Sequence, residues 1–320
     1  MSVIASFATD GAALPAGTAV AEALESNHIV FFPRCPIGLP DEATLRYLRS
    51  ELPARLRLKN ISYHPEAGRV TGLDADADTG RRVTQILTTH LAEVSAFLHR
   101  QLPHLTADWT IGTCSIRPIQ ERGRNLKPHA SNELVHVDAG AYGATDGDRI
   151  LRFFVNFSDH EDRVWATKGP IEDILSRCGR EAGLVDAHGH LAVRLNKTLP
   201  DRLLSGAVRA LGRLNPLARV LDSSPYDRAM RRLHNFMKDD AGFRQDQRGY
   251  QELRFPPYSA WMVFTDSVSH ASLSGQFAFV TTIIVRRRHM RAPQFAPFNV
   301  LMGLPQTPRA QTPRAPAPPH

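Results

Sequence analysis

Two stretches carry residues whose types and spacing can do metal chemistry: Leu134-Val135-His136-Val137-Asp138 and, much later, Thr265-Asp266-Ser267-Val268-Ser269-His270. Side chains alternate faces along extended backbone, so His136 and Asp138, two positions apart in an apolar run, are expected to point the same way. A second histidine, His270, then closes a site of two imidazoles and one carboxylate. That donor set on one face of a metal leaves the other positions open, as non-haem Fe(II) oxygenases require. The reading that follows is an Fe(II)-dependent hydroxylase using 2-oxoglutarate and O2.

His-x-Asp alone is a cheap pattern. With 14 histidines in 320 residues, about one such tripeptide arises by chance. A second one, His160-Glu161-Asp162, lies in a polar run that reads as a loop. His188-Gly189-His190 beside Asp186 is a third metal-like cluster, but its glycine and polar flanks mark a surface segment. The apolar setting favours His136 and Asp138 as ligands, against the plain alternative of a hydrogen-bonded histidine next to a turn aspartate.

These residues need a scaffold. A short helix around Ala19 to Leu24 and the apolar strand Ile29-Val30-Phe31-Phe32 open the chain. Asp41 is a plausible N-cap for a helix carrying Leu45, Leu48 and Leu52, ended by Pro53. Residues 60–80 are polar and rich in glycine and aspartate, and read as loop. A longer helix is expected from about Val83 to Leu102, with Leu87, Leu91, Val94 and Leu98 on one face. Strands follow at Trp109 to Pro118, with Thr113, Ser115 and Arg117 sharing a face, at Leu134 to Asp138, and at Ile150 to Phe157. Within the last, Arg152 and Asn156 share a face with Phe154. An inward arginine on a buried strand needs an anionic partner.

From about 168 to 251 the apolar pattern turns helical, including a helix capped by Ser224-Pro225 that carries Met230, Leu233 and Met237. Strands return at Ala260 to Phe264 and Phe277 to Val285, and Arg286-Arg287-Arg288 is expected to face solvent. Strands, a helical insertion and strands again fit a mainly β protein with α, built on a double-stranded β-helix (jelly roll, cupin-like) core with flanking helices. The expected organisation is one dioxygenase domain over 1–305 and a disordered Pro/Ala/Arg tail over 306–320, where Gln-Thr-Pro-Arg-Ala occurs twice.

Composition narrows the partners. The net charge of +7 favours anionic ligands or surfaces, although only five of the 39 basic residues are lysine and arginine bias also tracks genome composition. No basic run interleaved with aromatics points to nucleic acid. No stretch is apolar enough to span a bilayer, and the first residues lack a secretory pattern, so the cytoplasm is the expected compartment. The three cysteines, Cys35, Cys114 and Cys178, have no metal-type spacing and read as buried small hydrophobes. The oligomeric state stays open.

Ser115-Ile116-Arg117-Pro118, His136-Val137-Asp138-Ala139, Arg149 to Asn156, Arg163-Val164-Trp165, Ser224-Pro225-Tyr226-Asp227-Arg228, Leu233-His234-Asn235 and Thr265 to Ala271, in this order, resemble the Kdo hydroxylase family over about residues 15 to 300. The resemblance implies an Fe(II)/2-oxoglutarate dioxygenase acting at C3 of 3-deoxy-D-manno-oct-2-ulosonic acid (Kdo), the acidic sugar that joins lipid A to the lipopolysaccharide core. It implies His136, Asp138 and His270 as metal ligands. Gly140-Ala141-Tyr142-Gly143 departs from the family's pattern right after the ligands, which bears on the exact substrate.

The distal carboxylate of 2-oxoglutarate calls for an arginine fork. Val280 to Ile284, the usual window after the last ligand, holds no basic residue. Arg152 is therefore the preferred anchor, Arg117 the second, with Asn156 beside them and Arg286 in reserve. Arg124, Arg149 and Arg163 are candidates to hold the sugar carboxylate or neighbouring phosphates. The expected partner is a Kdo-bearing glycolipid met by peripheral contact at the inner face of the cytoplasmic membrane. The rival readings are an oxygenase of the same fold acting on another anionic metabolite, a non-catalytic cupin-like binding protein, and a zinc hydrolase on the same ligands.

Overall fold

The computed structural model describes residues 3–8, 17–123, 126–128, 131–140, 144–214 and 223–305. The chain opens with β1 (Ile4–Ser6), α1 (Gly17–Glu25), β2 (Ile29–Phe32), α2 (Glu42–Ser50), β3 (Ile61–His64), β4 (Arg69–Thr71), α3 (Ala77–Gln101) and β5 (Thr110–Arg117). After β6 (Arg149–Asn156) and β7 (Arg163–Thr167) come the helices α4 (Ile171–Cys178), α5 (Leu199–Leu214), α6 (Pro225–Asp239) and α7 (Ala241–Gln245). β8 (Gln251–Phe255), β9 (Ala260–Phe264), β10 (Ala271–Ser274), β11 (Ala278–Val285) and α8 (Pro297–Gly303) complete it.

An eight-stranded sheet runs β1-β2-β9-β6-β11-β5-β3-β4, and a three-stranded sheet runs β10-β7-β8. Apart from the parallel β1–β2 pair, the pairings are antiparallel. The two-residue alternation of β6 explains the layers. Leu151, Phe153 and Val155 face α1, α2 and α3, joining Leu24, Leu48, Leu87, Val94 and Phe97 in the main core. Phe154 faces the small sheet, where Trp261 lies stacked between it at 5.0 Å and Phe255 at 4.0 Å, with Trp165 edge-on at 5.5 Å. Each fully buried large side chain of this kind contributes roughly 1.5–3 kcal/mol. This is the jelly-roll-like, mainly antiparallel architecture expected, with helices outside.

A third core, built on Ile171, Ile174, Tyr226, Met230, Leu233 and Met237, belongs to the helices between β7 and β8. α6 begins with a full capping box, Ser224 and Asp227 exchanging side-chain to backbone bonds, with proline in the first turn. The insertion stands, in sequence, between Asp138 and His270.

Several expectations need correction. Residues 60–80 contain the β3–β4 hairpin, whose Ser62 pairs with Ser115; its polar residues belong to a short edge strand facing a polar cavity, not to a loop. α3 starts at Ala77 because Asp76 caps it through Thr79 N, and its first turns are polar because they are exposed. Leu134 to Asp138 is extended but not a strand: His136 alone forms a bridge, to His270. β7, β8 and β10, the whole small sheet, were not read as strands. Arg286 and Arg287 do not simply face solvent; Arg286 bonds Asp148 and Thr110, and Arg287 lies over Phe298 and bonds Asn299. The repeated tail, 306–320, lies outside the described residues.

Candidate metal centre and cosubstrate pocket

The backbone of the extended segment and the turn after β9 bind each other: His136 N donates to His270 O (3.0 Å), His270 N to His136 O (2.8 Å) and Asp138 N to Thr265 O (2.8 Å). This locks the two stretches side by side. Each imidazole then donates from Nδ1 to the carbonyl two residues before it, His136 to Leu134 O at 2.7 Å and His270 to Val268 O at 3.0 Å. Those bonds fix the tautomer and turn both Nε2 lone pairs inward, as a metal site needs. Trp165 stacks on the His270 ring at 5.2 Å.

Asp138 completes the cluster, Oδ1 3.8 Å from His136 Nε2 and Oδ2 4.0 Å from His270 Nε2. Ligand atoms of His136, Asp138 and His270 all lie within 4.8 Å of one another, the one such trio found among the described residues. Burial, reinforced by His270, pushes the His136 imidazole well below the ordinary range, and burial lowers His270 too. Burial also opposes the charge on Asp138, but Arg152, His270 and His136 together outweigh it and hold the carboxyl well below its usual range. The site therefore presents two neutral imidazoles and a carboxylate at neutral pH, the protonation states that ligation demands.

The cluster opens into a cavity of about 290 Å³. Its floor is the inner face of the large sheet, to which β5 brings Thr113, Ser115 and Arg117, β11 brings Val280 and Thr282, and β6 brings Arg152 and Phe154. Register explains the set: Arg152 and Thr113 both pair with Thr282, and Phe154 and Ser115 both pair with Val280. Arg152 Nη2 lies 3.0 Å from Asp138 Oδ2. Arg117 is pushed down to about 10 by burial, aided by Arg152 and Arg163 nearby. The Nε atoms of both Arg117 and Arg152 are buried without a hydrogen-bond partner among the described residues.

Of the residues singled out in the sequence, the structure brings His136, Asp138, His270, Arg117 and Arg152 to this cavity. Three others are corrected, since none lines it. Arg149, fully buried, donates to Asp266 Oδ2 (2.8 Å) and Ser267 Oγ (2.6 Å) and lies over the Phe264 ring, so it braces the turn that carries His270. Arg163, also buried, bonds Glu121 (3.0 Å) and Ser272 (3.1 Å). Asn156 donates to Glu161 O and Phe255 O (both 2.9 Å), tying the turn after β6 to β8. Arg124 lies outside the described residues, as do Ala141, Tyr142 and Gly143.

Sequence reasoning gave no role to Lys59, His234 and Lys238, which line the opposite wall. The signal was there for the last two: they follow Leu233 and Met237 by one position each, four residues apart, and so border the buried stripe of α6. The other histidine clusters stay apart from the cavity. His160 is exposed in a loop, and Asp186 spends Oδ1 on the backbone of His188 (2.8 Å) and His190 (2.9 Å).

Comparison with known proteins agrees with this geometry. The family model for 3-deoxy-D-manno-oct-2-ulosonic acid (Kdo) hydroxylase matches residues 12–308. No curated protein matches in the sequence search. Among solved structures, the apo form of the Kdo hydroxylase KdoO, described as a non-haem Fe(II) α-ketoglutarate dependent dioxygenase, is similar with a TM-score of 0.76 and 26% identity over 93% of this chain and 94% of that one. KdoO with α-ketoglutarate and Fe(III), and KdoO with cobalt(II), match with the same TM-score, identity and coverage. With the family model spanning nearly the whole chain, the protein belongs to the Kdo hydroxylase family.

Proposed function

We propose that the chain is an Fe(II)/2-oxoglutarate dependent dioxygenase that hydroxylates Kdo at C3, with His136, Asp138 and His270 holding the metal. The observation that carries the proposal is the trio of ligand atoms opening into a cavity that also holds two inward arginines. The donor set fits iron: neutral nitrogen and carboxylate ligands on one side, open positions on the other. Iron with 2-oxoglutarate supplies the oxidising chemistry when bound. The chain's own residues do the rest. Arg152 and Arg117 offer the cationic forks for the cosubstrate's distal carboxylate, and their partnerless Nε atoms support an anion between them. The Nδ1–carbonyl bonds keep His136 and His270 in the ligating tautomer, and Trp165 with Phe154 walls the cavity with apolar surface.

The physiological substrate in this reading is Kdo already attached to lipid A, met at the inner face of the cytoplasmic membrane. The +7 net charge supports contact with an anionic surface. So does α5, where Leu199 and Leu203 are each 70% exposed next to exposed Arg202. No helix of the described residues is long and apolar enough to cross a membrane. The test supplies Fe(II), 2-oxoglutarate and O2 with either free Kdo or Kdo-bearing lipid A. The expected result is a product one oxygen atom heavier, formed with an equal amount of succinate. Turnover without O2 would favour the hydrolase reading, and succinate without a hydroxylated sugar would leave the oxygenase and remove this substrate.

A further inference from the structure

The cavity carries a charge imbalance that the metal and cosubstrate do not resolve. Four cationic side chains line it, Arg117, Arg152, Lys59 and Lys238, against one lining carboxylate, Asp138. A divalent metal adds to the excess. Two carboxylates on 2-oxoglutarate answer the metal and the sheet arginines, which leaves the lysines. Lys59 comes from the segment just before β3 and Lys238 from the last turn of α6, so two unrelated parts of the chain bring like charges together at one wall. Lys238 is 3% exposed. Converging cations, one of them buried, cost free energy unless an anion joins them.

His234 adds a third contact. It lies one turn before Lys238 on α6 and lines the same wall. Its Nδ1 donates to Val137 O at 2.7 Å, which leaves Nε2 as the acceptor. The ring stands edge-on to His136 at 4.9 Å, next to the metal ligands.

We infer that Lys59, Lys238 and His234 form a second anion subsite, distinct from that of the cosubstrate, which holds the carboxylate of the acidic sugar on the two lysines and one sugar hydroxyl on His234 Nε2. The inference rests on the Kdo hydroxylase reading and adds how the sugar is held. It makes the helical insertion part of the sugar-binding machinery, gripping the sugar between α6 and the edge of the large sheet.

The experiment loads the protein anaerobically with Fe(II) and 2-oxoglutarate, reads cosubstrate affinity from the visible charge-transfer band, and measures by calorimetry the binding of Kdo methyl glycoside and of its methyl ester. Wild type is expected to prefer the acid. Lys238→Met should weaken acid binding by about tenfold or more and abolish the preference over the ester, with cosubstrate affinity preserved. Lys59→Met should do the same to a smaller extent, and Lys238→Arg should restore the preference in part. The subsite is overturned if both methionine variants keep the acid preference, if cosubstrate affinity falls in step with sugar affinity, or if wild type shows no preference while forming the band. A wild type that forms no band overturns the oxygenase reading instead. In that case acid-over-ester preference in the metal-free protein still decides on the subsite.

Discussion

Two clusters in this chain offer histidines and an aspartate within a few residues, and they differ in what the backbone does. At Asp186, His188 and His190 the aspartate accepts from two backbone N–H groups, Gly189 sits at φ +82°, and the imidazole rings stand 6.0 Å apart in a surface turn. The carboxylate is occupied in shaping its own loop. At His136, Asp138 and His270 the backbone satisfies itself across two distant segments, carbonyls orient both imidazoles, and the carboxylate faces the ring nitrogens. Ligand residue types are common; a scaffold that frees their lone pairs toward one point is not.

The largest effect expected from this contrast is at Asp138. Asp138→Ala should lower Fe(II) affinity by at least about a hundredfold and abolish succinate formation, while circular dichroism still reports a folded protein. Near-normal iron content and activity in that variant would remove the site from consideration. Next come the arginines. Arg152→Met or Arg117→Met removes one member of a desolvated charge pair, a loss of about 2–5 kcal/mol, so the 2-oxoglutarate concentration for half-saturation should rise at least tens-fold. If only one of the two shifts it, that residue is the anchor and the other a neighbour.

A third histidine sharpens the contrast through pH. His90 of α3 is buried against Phe279 with neither ring nitrogen partnered among the described residues, and burial pushes its pKa down from 6.5 to about 3. The unfolded chain takes up this proton near pH 6.5 and the folded one does not, so stability is complete above that value and falls as the solution is acidified toward pH 3. By about pH 4.5 this amounts to roughly 3 kcal/mol. His90→Leu should flatten the acid limb of a urea-midpoint profile without altering iron affinity at neutral pH. If the acid limb is unchanged, the lability lies elsewhere, in the ligand histidines among other groups. The smallest effects are expected at the surface cluster: Asp186→Ala should cost about 0.5–2 kcal/mol of stability, and His190→Ala within about 0.5 kcal/mol, both with iron binding intact.

Much of this was legible in the sequence, for identifiable reasons. His136 and Asp138 share a side because extended backbone alternates, and Arg117 and Arg152 were placed inward by the same parity on β5 and β6. Parity does not say which partner an inward residue meets. Arg149 and Asn156 have the right geometry for a pocket role, yet Asp266 and Phe255, more than ninety positions away, occupy them. The β3–β4 hairpin was hidden because its strands are short, polar and at a sheet edge. Lys238 was hidden because a lysine next to an amphipathic stripe reads as solvated; only the fold turns that flank of α6 over the cavity.

The most direct test of the account is anaerobic equilibrium dialysis of Fe(II), with 2-oxoglutarate present, against wild type, Asp138→Ala and the double variant His188→Ala/His190→Ala. The account predicts one tightly bound iron in wild type and in the double variant, and none retained by Asp138→Ala. Iron kept by Asp138→Ala but lost from the double variant would contradict it, moving the metal from the buried triad to the surface turn.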